Sequence, residues 1–325
     1  MILVTGGTGF VGREVIRQLA EAGHSVRLLV RNPDRARELF SSTSCELAPG
    51  DILDKPSLEA AMRGVQAVIH LVGIISEGCG STYQQIHVEG TRNVIEAAKN
   101  AGVKRYLHMS AIGTRPHAPA PYHQTKWQAE EIVRSSGLAW TIIRPSIIYG
   151  PKDHFTTLIS LLLQFPFNLL TLFALPCPND GETLLQPVPV GDVARCFIRA
   201  LSNQTAVGKT YELGGETITY ADMMIAIART AGQNPKLVDA ALPASLFLAP
   251  LLLLRGYRPL LLPLPSALVK AAAWLFEIVS PIPLLNYGHA LMIEEDHHAD
   301  TAQAREDLAF VPANFKDNLG YLNSK

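Results

Sequence analysis

Residues Thr5 to Gly12 read T-G-G-T-G-F-V-G and follow directly on the apolar run Met1-Ile2-Leu3-Val4. A buried strand that ends in glycines and turns at once into a helix aims free backbone N–H groups at one point. The positive end of the helix faces the same point, so a pyrophosphate can sit there. Gly7 and Gly9 are expected to supply the tight turn and the bare backbone, and Gly12 the close packing of helix on strand. Gly6, Thr8, Phe10 and Val11 complete the expected contact set. Glycines also cluster in ordinary turns, so context decides. Val11, Val15, Ile16, Leu19 and Ala20 recur at helical spacing, and Ser25 to Val30 forms a second apolar run where a βαβ unit needs it.

The rhythm continues. Strands are predicted at Ile2 to Thr5, Ser25 to Val30, Cys45 to Ala48, Ala67 to Val72, Arg105 to Ser110 and Trp140 to Pro145. Helical patterns fall between them at Val11 to Ala22, Asp34 to Phe40, Ser57 to Met62, Tyr83 to Ala101 and Tyr122 to Ser136. Such alternation predicts an α/β fold, a Rossmann-like doubly wound parallel sheet, over residues 1–150. Residues 187–213 look like a strand, a helix and a further strand returning to it. The remainder, 151–186 and 214–325, is expected to form a smaller, discontinuous C-terminal lobe over the carboxyl ends of the strands.

Bulk properties exclude other classes. A formal net charge of -1 argues against a nucleic-acid partner drawn to a basic surface. The four cysteines, Cys45, Cys79, Cys177 and Cys196, are scattered and form no C-x-x-C pair, as reduced structural thiols do. None of the ten histidines shows a metal-ligand spacing, so no metal site is expected. With the first strand at Met1 no signal or transit peptide is expected unless one was removed ahead of it, and the expected location is cytoplasmic.

In an NAD-preferring site an acidic residue roughly twenty positions past the glycines holds the ribose 2′-hydroxyl. Here that strand ends in Val30-Arg31-Asn32-Pro33-Asp34-Arg35. Arg31 stands where the carboxylate would be, and Arg31 and Arg35 suit a 2′-phosphate that accepts forked hydrogen bonds. The expected cofactor is therefore NADP, with NAD the alternative. The bland reading places both arginines on a solvated helix start, and Asp34 has the reach to turn toward a ribose. Asp51, followed by Ile52, would lie near the adenine amino group or would cap a turn.

Tyr122 and Lys126 are four residues apart at the start of a predicted helix, which puts them on one face. A phenol with an ordinary pKa of about 10 is a poor acid or base near neutrality. An ammonium one turn away, with a cationic nicotinamide nearby, is expected to lower that pKa. Tyr122 would then exchange a proton with a substrate oxygen, and Lys126 would also hold the nicotinamide ribose.

These motifs resemble the short-chain dehydrogenase/reductase superfamily, in its extended, epimerase/dehydratase-like branch. The resemblance rests on T-G-G-T-G-F-V-G, G-D-I-L-D (Gly50 to Asp54), V-E-G-T-R-N-V-I-E-A-A (Val88 to Ala98), Y-H-Q-T-K (Tyr122 to Lys126) and R-P-S-I-I-Y-G-P (Arg144 to Pro151). Q-P-V-P-V-G-D-V-A (Gln186 to Ala194) and Y-E-L-G-G (Tyr211 to Gly215) extend it. R-N-P at Arg31, S-A-I-G at Ser110 and L-A-F-V-P-A-N-F at Leu308 are similar to relatives of the nucleotide-binding accessory subunit of respiratory complex I. The resemblance implies NADP(H) at the glycine loop and Tyr122 and Lys126 in the catalytic positions. Leu71, Val72 and Gly73 after the fourth strand, and Pro145, Ile147 and Ile148 after the sixth, complete the expected cofactor contacts.

Departures from the branch are equally plain. Where sugar-modifying relatives carry two or three Ser/Thr, this chain has Ser110-Ala111-Ile112, so Ser110 is the candidate orienting hydroxyl and Thr114 a weaker substitute. His87 stands where relatives have an asparagine that braces the active-site helix. Pro116, Pro119 and Pro121 crowd the loop before Tyr122.

Between Asp153 and Asp180 there is no Lys, Arg, Asp or Glu, and leucine-rich stretches recur from Leu242 to Leu285, broken by prolines. A bilayer span takes about 20 continuous apolar residues, and Pro166, Asn168, Arg255, Arg258 and Lys270 interrupt these runs. A buried core, an apolar substrate pocket and a membrane-surface patch remain as readings, the last with Trp274 and Phe276 on a helix over Ser266 to Val279. The expectation is an oxidoreductase acting on a quinone-, isoprenoid- or lipid-like carbonyl or hydroxyl compound. The alternatives are a nucleotide-binding accessory or assembly factor of a membrane complex, peripheral on the membrane, and a nucleotide-sugar epimerase or dehydratase.

Overall fold

The computed structural model describes residues 1–78, 80–153, 155–162, 174–230 and 298–323, with 232, 236–237, 260–264, 267 and 271. The chain divides into two compact units. The first comprises Met1–Ser146, Val190–Gly214 and Ala299–Pro312, and the second Ile147–Pro189, Gly215–His298 and Ala313–Lys325.

In the first unit every side chain of β1 (Ile2–Thr5) is buried, as in a strand covered on both faces. Helix α1 (Phe10–Glu21) turns Val11, Val15, Ile16 and Leu19 inward, the stripe its sequence spacing announces. There follow β2 (Val26–Val30), α2 (Pro33–Leu39), β3 (Glu46–Pro49), α3 (Lys55–Ala61) and β4 (Ala67–His70). Then come α4 (Gly90–Asn100), β5 (Arg105–Met109), α5 (Pro121–Arg134), β6 (Ala139–Pro145), α6 (Val190–Ser202), β7 (Lys209–Leu213) and α7 (Ala302–Leu308). The seven strands are all parallel, in the order β7-β6-β5-β4-β1-β2-β3. The order reverses between β1 and β4, and the carboxyl edge at such a switch point is where these sheets take ligands. Register aligns Thr5 with His70 and His70 with His108, a polar row through the sheet centre.

Two sequence expectations need correction here. The helix expected over Tyr83 to Ala101 opens instead as a π-helix, Gln84–Glu89, in which Gly90 N–H bonds Gln85 C=O. Hydrophobic spacing does not distinguish the extra residue of such a turn. Residues 299–312, expected in the second lobe, pack in the first unit. Lys209 Nζ and Tyr211 Oη each donate to Asp307 at 2.7 Å, Arg199 donates to the carbonyls of Leu308 and Ala309, and Leu308 and Phe310 are buried.

The second unit is built of short strands. Ile148–Tyr149 pairs in parallel with Val188–Pro189, and Leu184–Leu185 antiparallel with Ile218–Thr219. Leu260–Leu264 lies between Ala174–Pro178 and Lys236–Leu237. Tyr149, Cys177, Met223, Ile227 and Phe315 share its core. The Asp153 carboxylate begins the helix Phe155–Leu162, taking the Thr156 N–H at 2.6 Å and the Tyr321 hydroxyl at 3.0 Å. Most of the leucine-rich stretches, including the helix expected over Ser266 to Val279, lie outside the described residues. Among the described residues no helix is long and apolar enough to cross a membrane.

Candidate nucleotide-binding and catalytic site

The glycine loop runs from the end of β1 into α1. Gly6 has φ +77°, and its carbonyl accepts from Gly9 N–H at 3.1 Å. A side chain on Gly6 would also stand 2.9 Å from the backbone of Leu71 and Val72. The tight turn assigned to Gly7 and Gly9 is therefore made by Gly6. Gly7 instead admits the side chains of Leu28 and Ile16, and the close approach at Gly12, whose Cβ would lie 2.5 Å from Gly7 Cα, is as expected. Thr8 and Gly9 are exposed at the rim, Phe10 is half-buried, and Val11 faces the core. Gly9 N-caps α1 with no side-chain bond, and the first turn holds no acid. An anion there gains about 0.3–1 kcal/mol from the helix end.

At the end of β2, Arg31 and Arg35 are exposed, and among the described residues neither forms an ion pair. Asp34, the acid with reach toward a ribose, is paired with Arg37. The Asn32 side chain accepts from Arg35 N–H at 3.0 Å and caps α2, so a helix cap occupies that expected cofactor contact. Asp51 Oδ1 takes Leu53 N–H at 2.9 Å, the turn-capping alternative, and Ile52 is core. Leu71 is buried, Val72 half-buried and Gly73 exposed after β4. Pro145 ends β6 in the first unit, whereas Ile147 and Ile148 belong to the second.

Lys126 is 2 % exposed, yet its ammonium is given a place: Nζ donates to Met109 O at 3.1 Å, and a Cβ on Gly73 would stand 2.9 Å from it. Burial lowers its pKa to about 8, against the opposing pull of Glu130. Tyr122, one turn earlier on α5, is half-buried. Burial, and Tyr83 after it, push its phenol well above 10, the reverse of the expected depression. The expectation leaned on the charges of Lys126 and of a cofactor, and desolvation of the phenolate outweighs the protein's share of that help.

His87 braces this corner. Ile74 N–H donates to its Nε2 at 3.1 Å, and Nδ1 lies 2.9 Å from Thr125 Oγ1. Thr125 in turn donates to the carbonyls of Pro121 and Tyr122. Nε2 also lies 3.1 Å from the Ile74 carbonyl, so the ring meets both backbone groups of Ile74, and burial first and the Lys126 charge second hold its pKa far below the usual value and the ring neutral. The ring lies edge-on to Tyr122 at 5.4 Å between centroids and stacks on Tyr83 at 5.4 Å. Ser110 is buried and its hydroxyl lies 3.4 Å from that of Thr114, also buried. The sequence thus undervalued Thr114; a second hydroxyl four residues after Ser110 was the available signal.

Residues 6–160 match an NAD(P)H-binding family model. The first unit is an NAD(P)-binding Rossmann domain. Its relatives include a ceramide reductase of Caulobacter vibrioides, 27 % identical over 73 % of each chain. Another is subunit 9 of the NADH dehydrogenase 1 alpha subcomplex of Arabidopsis thaliana, 31 % identical over 66 % of this chain and 54 % of that one. Among solved structures, a dTDP-glucose 4,6-dehydratase of Streptomyces venezuelae with bound NAD superposes with a TM-score of 0.70. It is 22 % identical, over 99 % of this chain and 95 % of that one, a likeness of fold. The resemblance to complex I relatives holds in sequence and that to the epimerase/dehydratase branch in fold, as does the doubly wound parallel sheet.

Proposed function

We propose that this protein is an NADP(H)-dependent oxidoreductase of the short-chain type that reduces an apolar carbonyl compound. The observation that carries the reading is the corner of α5. A buried ammonium donates to the Met109 carbonyl and lies so close to Gly73 that a side chain there would meet it, and a half-buried phenol precedes it by one turn. When bound, the reduced cofactor would supply a hydride for the carbonyl carbon. Tyr122 gives its proton to the carbonyl oxygen, the alcohol leaves, and Lys126 steadies the phenolate that remains. The phenol holds its proton at neutral pH, as an acid that serves reduction must, and its raised pKa makes it depend on the Lys126 ammonium to stabilise the phenolate as the proton leaves. Ser110 and Thr114 supply hydroxyls at the end of β5, in the place where relatives orient the substrate oxygen. Tyr122→Phe should abolish NADPH-dependent turnover on a panel of long-chain ketones and quinones while leaving NADPH affinity within about twofold; retained turnover sinks the mechanism.

The 2′-phosphate preference rests on Arg31 and Arg35 standing unpaired while Arg37 occupies Asp34. Arg31→Ala should weaken NADPH by about tenfold or more, since a charge-assisted bond contributes roughly 1.5–3 kcal/mol, and hardly affect NADH. Equal losses for both would retire the assignment. The apolar substrate is argued from the leucine-rich sequence and the ceramide reductase relative. The complex I relative favours a second reading, an accessory factor peripheral on a membrane complex. Recovery of the protein with membranes after lysis, with no turnover on any carbonyl, would select it.

A further inference from the structure

Behind Lys126 lies a buried polar region that the proposed chemistry does not use. His108, on β5, is 1 % exposed, and neither ring nitrogen has a hydrogen-bond partner among the described residues. Tyr106 projects from the same face of that strand two residues earlier, fully buried, and its hydroxyl is likewise unpartnered. Both rings gather round His70, His108 at 5.5 Å and Tyr106 at 6.3 Å between centroids. His70 itself is satisfied, with Nδ1 2.6 Å from Thr5 Oγ1 and Nε2 3.2 Å from Thr91 Oγ1. Lys126 bonds the carbonyl of Met109, the residue after His108, and this single bond among the described residues leaves two of its three donors for other acceptors.

A neutral imidazole has one donor and one acceptor, and a phenol one of each. Orphaned together in a core, such groups are costly, and the usual remedy is enclosed water making two to four hydrogen bonds. Charge points the same way. Burial first, and then the charges of His70 on β4, Lys126 on α5, His87 from the π-helix and Arg134 on α5, hold the His108 ring neutral. Water accepts from the ammonium and both donates to and accepts from a neutral ring, which no protein group described there does.

We propose that one or two water molecules are held between β5 and α5, bonded to His108, Tyr106 and the Lys126 ammonium, and that this hydration keeps Lys126 charged. The inference rests on the catalytic role of Lys126 argued above. Its tests need no substrate, so failure here and failure of the reductase reading are separate results. A high-resolution crystal structure of the NADP-bound protein should show solvent within hydrogen-bonding distance of His108 and of Tyr106; a dry site overturns the proposal. Tyr106→Phe removes one oxygen without adding volume and should lower the Tm, because the water loses a partner. An unchanged or raised Tm would mean that the hydroxyl is unsatisfied and nothing binds there. Lysine-selective NMR titration should place the Lys126 midpoint lower in His108→Phe than in the wild type, by about one pH unit. His108→Gln, which keeps a donor and an acceptor, should restore most of that shift. An unmoved midpoint in a folded His108→Phe protein breaks the link to Lys126.

Discussion

Replacing Lys126 by Met tests the site through stability rather than turnover. The lysine is 2 % exposed, and burial lowers its pKa from the ordinary 10.5 to about 8. At about 1.4 kcal/mol per pH unit, folding disfavours the ammonium by about 3 kcal/mol. Below pH 8 both folded and unfolded chains carry the proton, so the whole penalty acts against the native state. Between about pH 8 and 10.5 the folded lysine releases its proton while the unfolded chain keeps it, and wild-type stability rises with pH through that window. Met removes the charge but leaves the Met109 carbonyl without its donor, a loss of about 1–2 kcal/mol. The variant should therefore be more stable than the wild type by about 1–2 kcal/mol at pH 7 by urea unfolding, and inactive. By pH 10 the advantage should vanish or reverse, because the wild-type lysine is by then neutral. A variant less stable at pH 7, with the same deficit at pH 10, would refute the claim that burial taxes this ammonium.

Two other substitutions probe the loop and its brace. Gly12→Ala puts a methyl group 2.5 Å from Gly7 Cα, a backbone contact that no side chain can relieve, and should cost about 1–3 kcal/mol in urea unfolding together with most of the nucleotide affinity. His87→Phe keeps the ring but strips Ile74 N–H and Thr125 of their partner; kcat should fall at least tenfold, with His87→Asn recovering more than half of the loss.

What could be read in the sequence was local. The β1-α1-β2 unit was legible because Val15, Ile16 and Leu19 repeat at helical spacing and the glycines punctuate the turn. Which glycine takes the left-handed conformation was not, since Gly6 is chosen by the backbone of Leu71 and Val72, some 65 residues away in the chain. The four-residue spacing of Tyr122 and Lys126 placed them on one helix, whereas the direction in which the phenol titrates depends on burial, which spacing does not encode. The return of 299–312 to the first unit hangs on Asp307 meeting Lys209 and Tyr211 across nearly a hundred residues, and no local pattern marks it.

The histidines around Lys126 give the corner its economy of charge. Burial and the nearby ammonium push His70, His87 and His108 all downward, so the interior carries one cation where four basic side chains meet. A second cation would repel the first in a region of low dielectric, where such interactions are several times stronger than at the surface. The same low dielectric strengthens the attraction between the Lys126 ammonium and a phenolate on Tyr122. Desolvation raises the phenol in the free protein, so that attraction is felt when the proton has gone to the substrate oxygen rather than before. Under the proposed mechanism the burial that weakens the fold at Lys126 is what strengthens its hold on the phenolate, so relieving the ammonium's desolvation should remove a cost to stability and slow turnover together.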